Sequence, residues 1–156
     1  MASNSCIQPS DLWEAFSYDP FTGNLYRLTG PSKTKRAGCR RKDGYTVVWF
    51  KGKLWLAHRL IYVWHTEVDP QELYIDHINR NCRDNRILNL RAVTAAQSSF
   101  NTVGTGLYKR KNGKFSVKIS KNYKSYRLGT FNSREEAVAA YKAASIVLHG
   151  EFGCAE

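Results

Sequence analysis

Phe115, Val117 and Ile119 alternate with Lys114, Ser116, Lys118 and Ser120, a period of two that predicts a strand with one apolar face and one polar, basic face. A shorter run around Tyr108 precedes it and another follows, in which Tyr126 and Leu128 oppose Ser125 and Arg127. Lys111-Asn112-Gly113 and Lys121-Asn122-Tyr123 separate the three runs; the first carries an Asn-Gly pair favoured in tight hairpins. Behind them Ala137, Tyr141, Ala144 and Leu148 recur at helical spacing. Ser133 and Glu136 form a capping box at the start of this helix, and Gly150 stands at its end. Three antiparallel strands backed by one helix are expected, with the basic face left uncovered.

The first two thirds of the chain follow other rhythms. In "DLWEAFSYDPFTGNLYRL", Asp19-Pro20 and Thr22-Gly23-Asn24 separate two apolar-aromatic runs and predict a hairpin. "GPSKTKRAGCRRKDG" is dense in cations among glycines and reads as a loop, either a mobile arm that lies on phosphate or a solvated basic loop. Residues 45–50 and 53–56 flank Gly52 as a second hairpin. "AHRLIYVWH" places Leu60, Ile61 and Trp64 on the buried face of a short helix that Pro70 should break, and His58 reads as a packing histidine. Thr94 and Gln97 predict a helix start at Ala95, and residues 101–105 make a small, polar linker. The expected organisation is a first domain over 1–100 and a second over 106–156.

Composition narrows the class. The 156 residues carry 24 Lys+Arg against 13 Asp+Glu, a net charge of +11 divided nearly evenly, +5 in residues 1–100 and +6 in 101–156. Both halves are therefore candidates for contact with a polyanion, and nucleic acid is favoured over membrane because no basic amphipathic helix stands out. No apolar run approaches the ~18 residues of a membrane-crossing helix, and the N-terminal residues lack the pattern of a signal peptide. Cys6, Cys39, Cys82 and Cys154 form no Cys-x-x-Cys pair, so reduced thiols are expected rather than a zinc finger. A soluble cytoplasmic protein is the expectation.

The candidate chemistry lies in "YIDHINRNCRDNRILNLR". Phosphodiester hydrolysis needs an activated water, a cation on the phosphate and help for the leaving oxygen. His77 can accept the proton of a water near neutral pH, and Asp76 can hold a divalent ion. Adjacent residues of a strand point to opposite sides, so convergence on one phosphate requires a bent strand end. The asparagines that follow suit such a bend. On spacing alone, an ordinary turn at Asp76-His77 is the competing reading.

The run "DHINRNCRDNRILNLR", with "YDPFTGNLYRL" and "GYTVVWFKGKLWLAHRLIYVW" upstream, resembles the HNH nuclease family in its phage and intron-encoded homing endonuclease branch, over roughly residues 11–101. The resemblance implies an α+β, ββα-metal fold binding one divalent ion, Mg²⁺ or Mn²⁺. Asp76 would be a metal ligand, His77 the general base, and Asn89 the asparagine that pins the loop and so orients His77. Arg86 and Arg91 would hold phosphate or anchor the loop. The second protein ligand of that branch falls on Ser98, a poorer donor than Asn or His, with Asn101 as the substitute one turn on.

"YRLGTF" and "EEAVAAYKAAS" are similar to the last strand and the helix of AP2 DNA-binding domains, over Gly106 to Phe152. That resemblance implies a sheet lying in the DNA major groove, with Tyr108, Arg110, Lys114, Ser116, Lys118, Ser120, Ser125 and Arg127 facing outward. Together the two resemblances imply a homing-type endonuclease on double-stranded DNA. It would nick as a monomer, with a homodimer or two events needed for a double-strand break, and it would act as a phage protein in a bacterial cell. The alternative is a DNA-binding protein, a repressor or architectural factor, whose HNH site is impaired at Ser98.

Overall fold

The computed structural model describes residues 7–101, 106–121 and 124–153, and the chain divides into two compact units, Met1–Thr94 and Ala95–Glu156. Cys6, Cys154 and most of the expected linker, residues 102–105, lie outside the described residues, as do Asn122 and Tyr123 of the second expected turn.

The first unit starts with helix α1 (Pro9–Ala15), where the sequence pattern suggested only the first strand of a hairpin. Proline at the first helical turn presets the backbone there, and Leu12, fully buried, sits four residues before buried Phe16. Strands β1 (Phe16–Asp19) and β2 (Asn24–Arg27) then pair antiparallel across the expected turn. The basic stretch that follows is not a mobile arm. The Ala37 N–H donates to the Leu25 carbonyl at 2.7 Å, the Arg27 N–H to Lys35, and β3 (Cys39–Arg40) pairs with β4 (Thr46–Phe50). Backbone pairing on both sides and burial of Ala37 tie it down.

Strand β5 (Lys53–Leu56) pairs with β4 and feeds helix α2 (Ala57–Thr66) without a loop. The helix stops four residues before Pro70, because Glu67 takes a left-handed conformation (φ 63°) and its N–H donates to Val63. Leu60, Ile61 and Val63 are fully buried and pack in one core with Leu12, Phe16, Leu25 and Val48. Each such side chain contributes roughly 1.5–3 kcal/mol relative to exposure. This core is the platform for β6 (Tyr74–His77) and β7 (Leu90–Val93), an antiparallel pair in which Asp76 faces Arg91 and His77 faces Leu90; Ile75 and Leu90 join the core.

The second unit opens with α3 (Ala95–Phe100), beginning at the expected residue. Its sheet is ordered β10 (Lys124–Phe131), β9 (Phe115–Lys121), β8 (Leu107–Lys109), antiparallel throughout, and α4 (Arg134–His149) covers one face. Val117, Ile119, Ala137 and Tyr141 form the core between sheet and helix. Ser133 Oγ accepts from the Glu136 N–H at 3.1 Å, while Glu136 reaches the Asn132 N–H instead of that of Ser133 itself. β10 departs from simple alternation. A bulge between Arg127 and Gly129 inserts Leu128, which packs with the core while Arg127 stays opposite Lys118. Among the described residues no helix is long and apolar enough to cross a membrane.

Candidate functional site

Burial along β6 runs exposed, buried, half-buried, buried from Tyr74 to His77, so Asp76 and His77 leave the strand on opposite faces, as strand geometry requires. The turn begins at once. The Arg80 N–H donates to the His77 carbonyl at 2.9 Å with Arg80 left-handed (φ 60°), and the Ile78 N–H reaches the Asn89 carbonyl.

The asparagines of the loop do different work. Asn89 Oδ1 accepts from the Asn79 N–H at 2.9 Å, and Asn89 Nδ2 donates to Asn79 Oδ1 and to the Asp84 carbonyl at 2.9 and 2.8 Å. Asn79 in turn donates to Asp84 Oδ2, and its Oδ1 also takes the Asn81 N–H. Asp84 receives Arg86 through Nε at 2.7 Å and Nη2 at 2.6 Å. The Arg86 hydrogen bond, reinforced by Asn79, holds the Asp84 carboxyl down at about 2. Asn89 therefore cross-braces the loop, and Arg86 is spent on anchoring Asp84.

The residue that touches His77 is Asn85, which sequence reasoning passed over. Its Oδ1 lies 2.9 Å from His77 Nε2, and both side chains are buried. An amide oxygen only accepts, so this bond places the proton on Nε2 and the lone pair of the neutral ring on Nδ1. Two rings wall the imidazole: His58 from α2 meets it edge-on at 4.9 Å between centroids, and Tyr45 lies 6.0 Å away. Burial, with the neighbouring His77 and Arg59, pushes His58 down to about 3, so it stands there uncharged. His58 and Tyr45 lie 19 and 32 residues upstream of His77, and no spacing in the sequence signals their approach.

On the other strand Arg91 Nε and Nη2 lie 3.2 and 3.0 Å from Asp76 Oδ2, a cross-strand ion pair. Ser98 lies on α3 and Asn101 just beyond its end; Asn101 is buried, and both belong to the second unit. Among the described residues no three His, Cys, Asp or Glu side chains cluster. The donor that β6 offers is one carboxylate, a set suited to an ion that keeps several waters and takes phosphate oxygens, as Mg²⁺ does.

In the second unit strand register puts Tyr108, Ser116, Lys118, Ser120, Ser125 and Arg127 on the sheet face away from α4, with Lys118 over the Tyr108 ring at 4.9 Å. Arg110 and Lys114 close the β8–β9 turn, joined by a 2.8 Å backbone bond.

Residues 56–99, from the end of β5 through α2, β6, the braced loop, β7 and most of α3, match the family model described as HNH endonuclease. This segment belongs to the HNH endonuclease family. An uncharacterized HNH endonuclease of Acanthamoeba polyphaga mimivirus is 33% identical over 116 residues, covering 71% of this chain; the chain spans 62% of that relative's length. The solved structure of the HNH homing endonuclease I-HmuI, described for DNA binding and cleavage, is 28% identical over 53% of this chain and 48% of its own, with a TM-score of 0.43. The HNH segment contains Asp76, His77, Asn85, Asn89, Arg91 and His58; the β1–β2 hairpin and the three-stranded sheet lie outside it.

Proposed function

We propose that the protein is a divalent-metal-dependent DNA endonuclease of the homing type, in which His77 is the general base. The observation that carries this reading is the imidazole itself, which Asn85 holds at Nε2 beside His58 and Tyr45 at the end of β6, a group able to take a proton from water. HNH nucleases generally use a divalent metal. Here Asp76 would hold the ion, which when bound supplies charge neutralisation at the scissile phosphate and the leaving oxygen. Arg91 fixes the Asp76 carboxylate. Asn89, with Asp84 and Arg86, braces the loop that carries Asn85.

The second unit is read as the DNA anchor, an AP2-like domain whose outward sheet face lies against the duplex. Lys118, Arg127, Arg110 and Lys114 contact phosphate or bases, and Tyr108 and the serines Ser116, Ser120 and Ser125 fill the contact surface. One such nuclease site attacks one strand, so a monomer nicks.

A supercoiled-plasmid assay with Mg²⁺ or Mn²⁺, against EDTA, tests the reading. Metal-dependent conversion to open circles is expected, and His77→Ala should abolish it while DNA affinity stays unchanged. Nicking that survives in His77→Ala refutes the base assignment. The competing reading, a DNA-binding protein with an impaired site, draws on the serine at the position where the branch carries Asn or His. It predicts a plasmid left intact by the native chain and nicked by Ser98→Asn.

A further inference from the structure

The β1–β2 hairpin lies outside the HNH segment, yet it grips the loop at the residue that holds His77. The Tyr18 hydroxyl accepts from the Ile87 N–H at 2.9 Å and donates to the Asn85 carbonyl at 3.4 Å, bridging the peptide groups on either side of Arg86. Its ring is set against Trp64 of α2, 5.6 Å between centroids, and Trp64 Nε1 donates to the Phe16 carbonyl, so the phenol cannot swing without disturbing the core.

The hairpin turn supplies a second hold. Gly23 has φ +70°, and a Cβ there would come within 2.6 Å of the Arg86 nitrogen and 2.7 Å of the Asn85 carbonyl carbon. The turn backbone lies flat on the Asn85–Arg86 backbone, an approach only glycine allows. Asn85 is thus fixed at its own carbonyl, at the N–H two residues on and along its backbone. A side chain with two torsions then has its Oδ1 direction set, and that oxygen is the acceptor 2.9 Å from His77 Nε2.

We propose that Tyr18 is a positioning residue for His77, acting through Asn85 with the Gly23 turn as backstop; the catalytic part of this rests on His77 being the base. A loop of twelve residues between β6 and β7 has many ways to seat a buried amide, and the hairpin selects one of them.

A double-mutant cycle on the full chain tests this. Tyr18→Phe keeps the ring and removes the hydroxyl. It should slow single-turnover nicking about tenfold, and Asn85→Ala about 100-fold, the range lost when the hydrogen-bond partner of a metal-ligating histidine is removed. DNA affinity by gel shift should be unchanged in both. The double variant should be no slower than Asn85→Ala alone, because on this proposal the hydroxyl acts on the base through Asn85. A second readout needs no cleavage: imidazole ¹⁵N NMR of the DNA-free protein should show the Nε2–H tautomer of His77 in the native chain and a mixture in both variants. Additive rate losses, or an unchanged tautomer in Tyr18→Phe, would overturn the proposal. Nicking by His77→Ala would instead refute the base reading, and the tautomer measurement would still decide whether Tyr18 positions the ring.

Discussion

Acidification from pH 7.5 to 5 should destabilise the first unit by a definable amount, because His58 is buried against His77 and Tyr45 and held at about 3 in the fold against an ordinary 6.5. Between those values the unfolded chain binds a proton at His58 that the folded chain refuses. The contribution is therefore complete above pH 6.5 and is lost as pH falls toward 3. At pH 5 the imbalance amounts to about 2 kcal/mol, and near pH 3 to about 4 kcal/mol. For a unit of this size, urea midpoints should fall by about 0.7–2 M from pH 7.5 to 5. Tryptophan fluorescence isolates the effect: Trp13, Trp49, Trp55 and Trp64 all lie in the first unit, whereas His149, the other histidine lowered by burial, lies in the second. His58→Phe, which keeps a ring in the same place, should remove most of the pH dependence. If His58→Phe shows the same acid sensitivity as the native chain, the desolvation argument is wrong.

Asp84→Asn should weaken the loop brace by about 1–2 kcal/mol, less than a fully buried charged pair because Arg86 is half exposed. Since the fold lowers the Asp84 carboxyl to about 2, its share of stability is present above pH 4 and lost on acidification toward 2, and the variant should lose that dependence in urea melts. DNA binding should weaken steeply with salt. If Arg110, Lys114, Lys118 and Arg127 each meet a phosphate, their part of the log–log slope is about −3.6, and each alanine substitution should reduce it by about 0.9. A slope unchanged by all four substitutions would remove the sheet from the interface.

Local signals in the chain were sufficient for much of the architecture. Period-two alternation placed β9 and the face it turns away from α4, turn residues placed the β1–β2 and β4–β5 hairpins, and the start of α3 at Ala95 was legible in Thr94 and Gln97. Each of these is settled within a few residues, by steric preference and by which side chains can share a face. The misses were also local competitions. Proline-led α1 won over a strand, and a left-handed Glu67 ended α2 before Pro70 could. The basic stretch after β2 looked unattached because its pairing partners, Leu25 and Val47, are supplied by other strands.

For the candidate site, Asp76 and His77 were legible because they head the run "DHINRNCRDNRILNLR" that resembles the HNH family; on spacing alone an ordinary turn was the competing reading. Their surroundings were decided by tertiary structure alone. Asn85 meets His77 while Asn89 braces the loop, His58 and Tyr45 wall the ring, and Tyr18 ties the loop from 67 residues away. Local pattern records what a backbone can do over one turn or one strand. Which distant side chain fills the space beside an imidazole depends on how a hairpin, a helix and a loop pack on one core, and that is settled only when the whole unit closes.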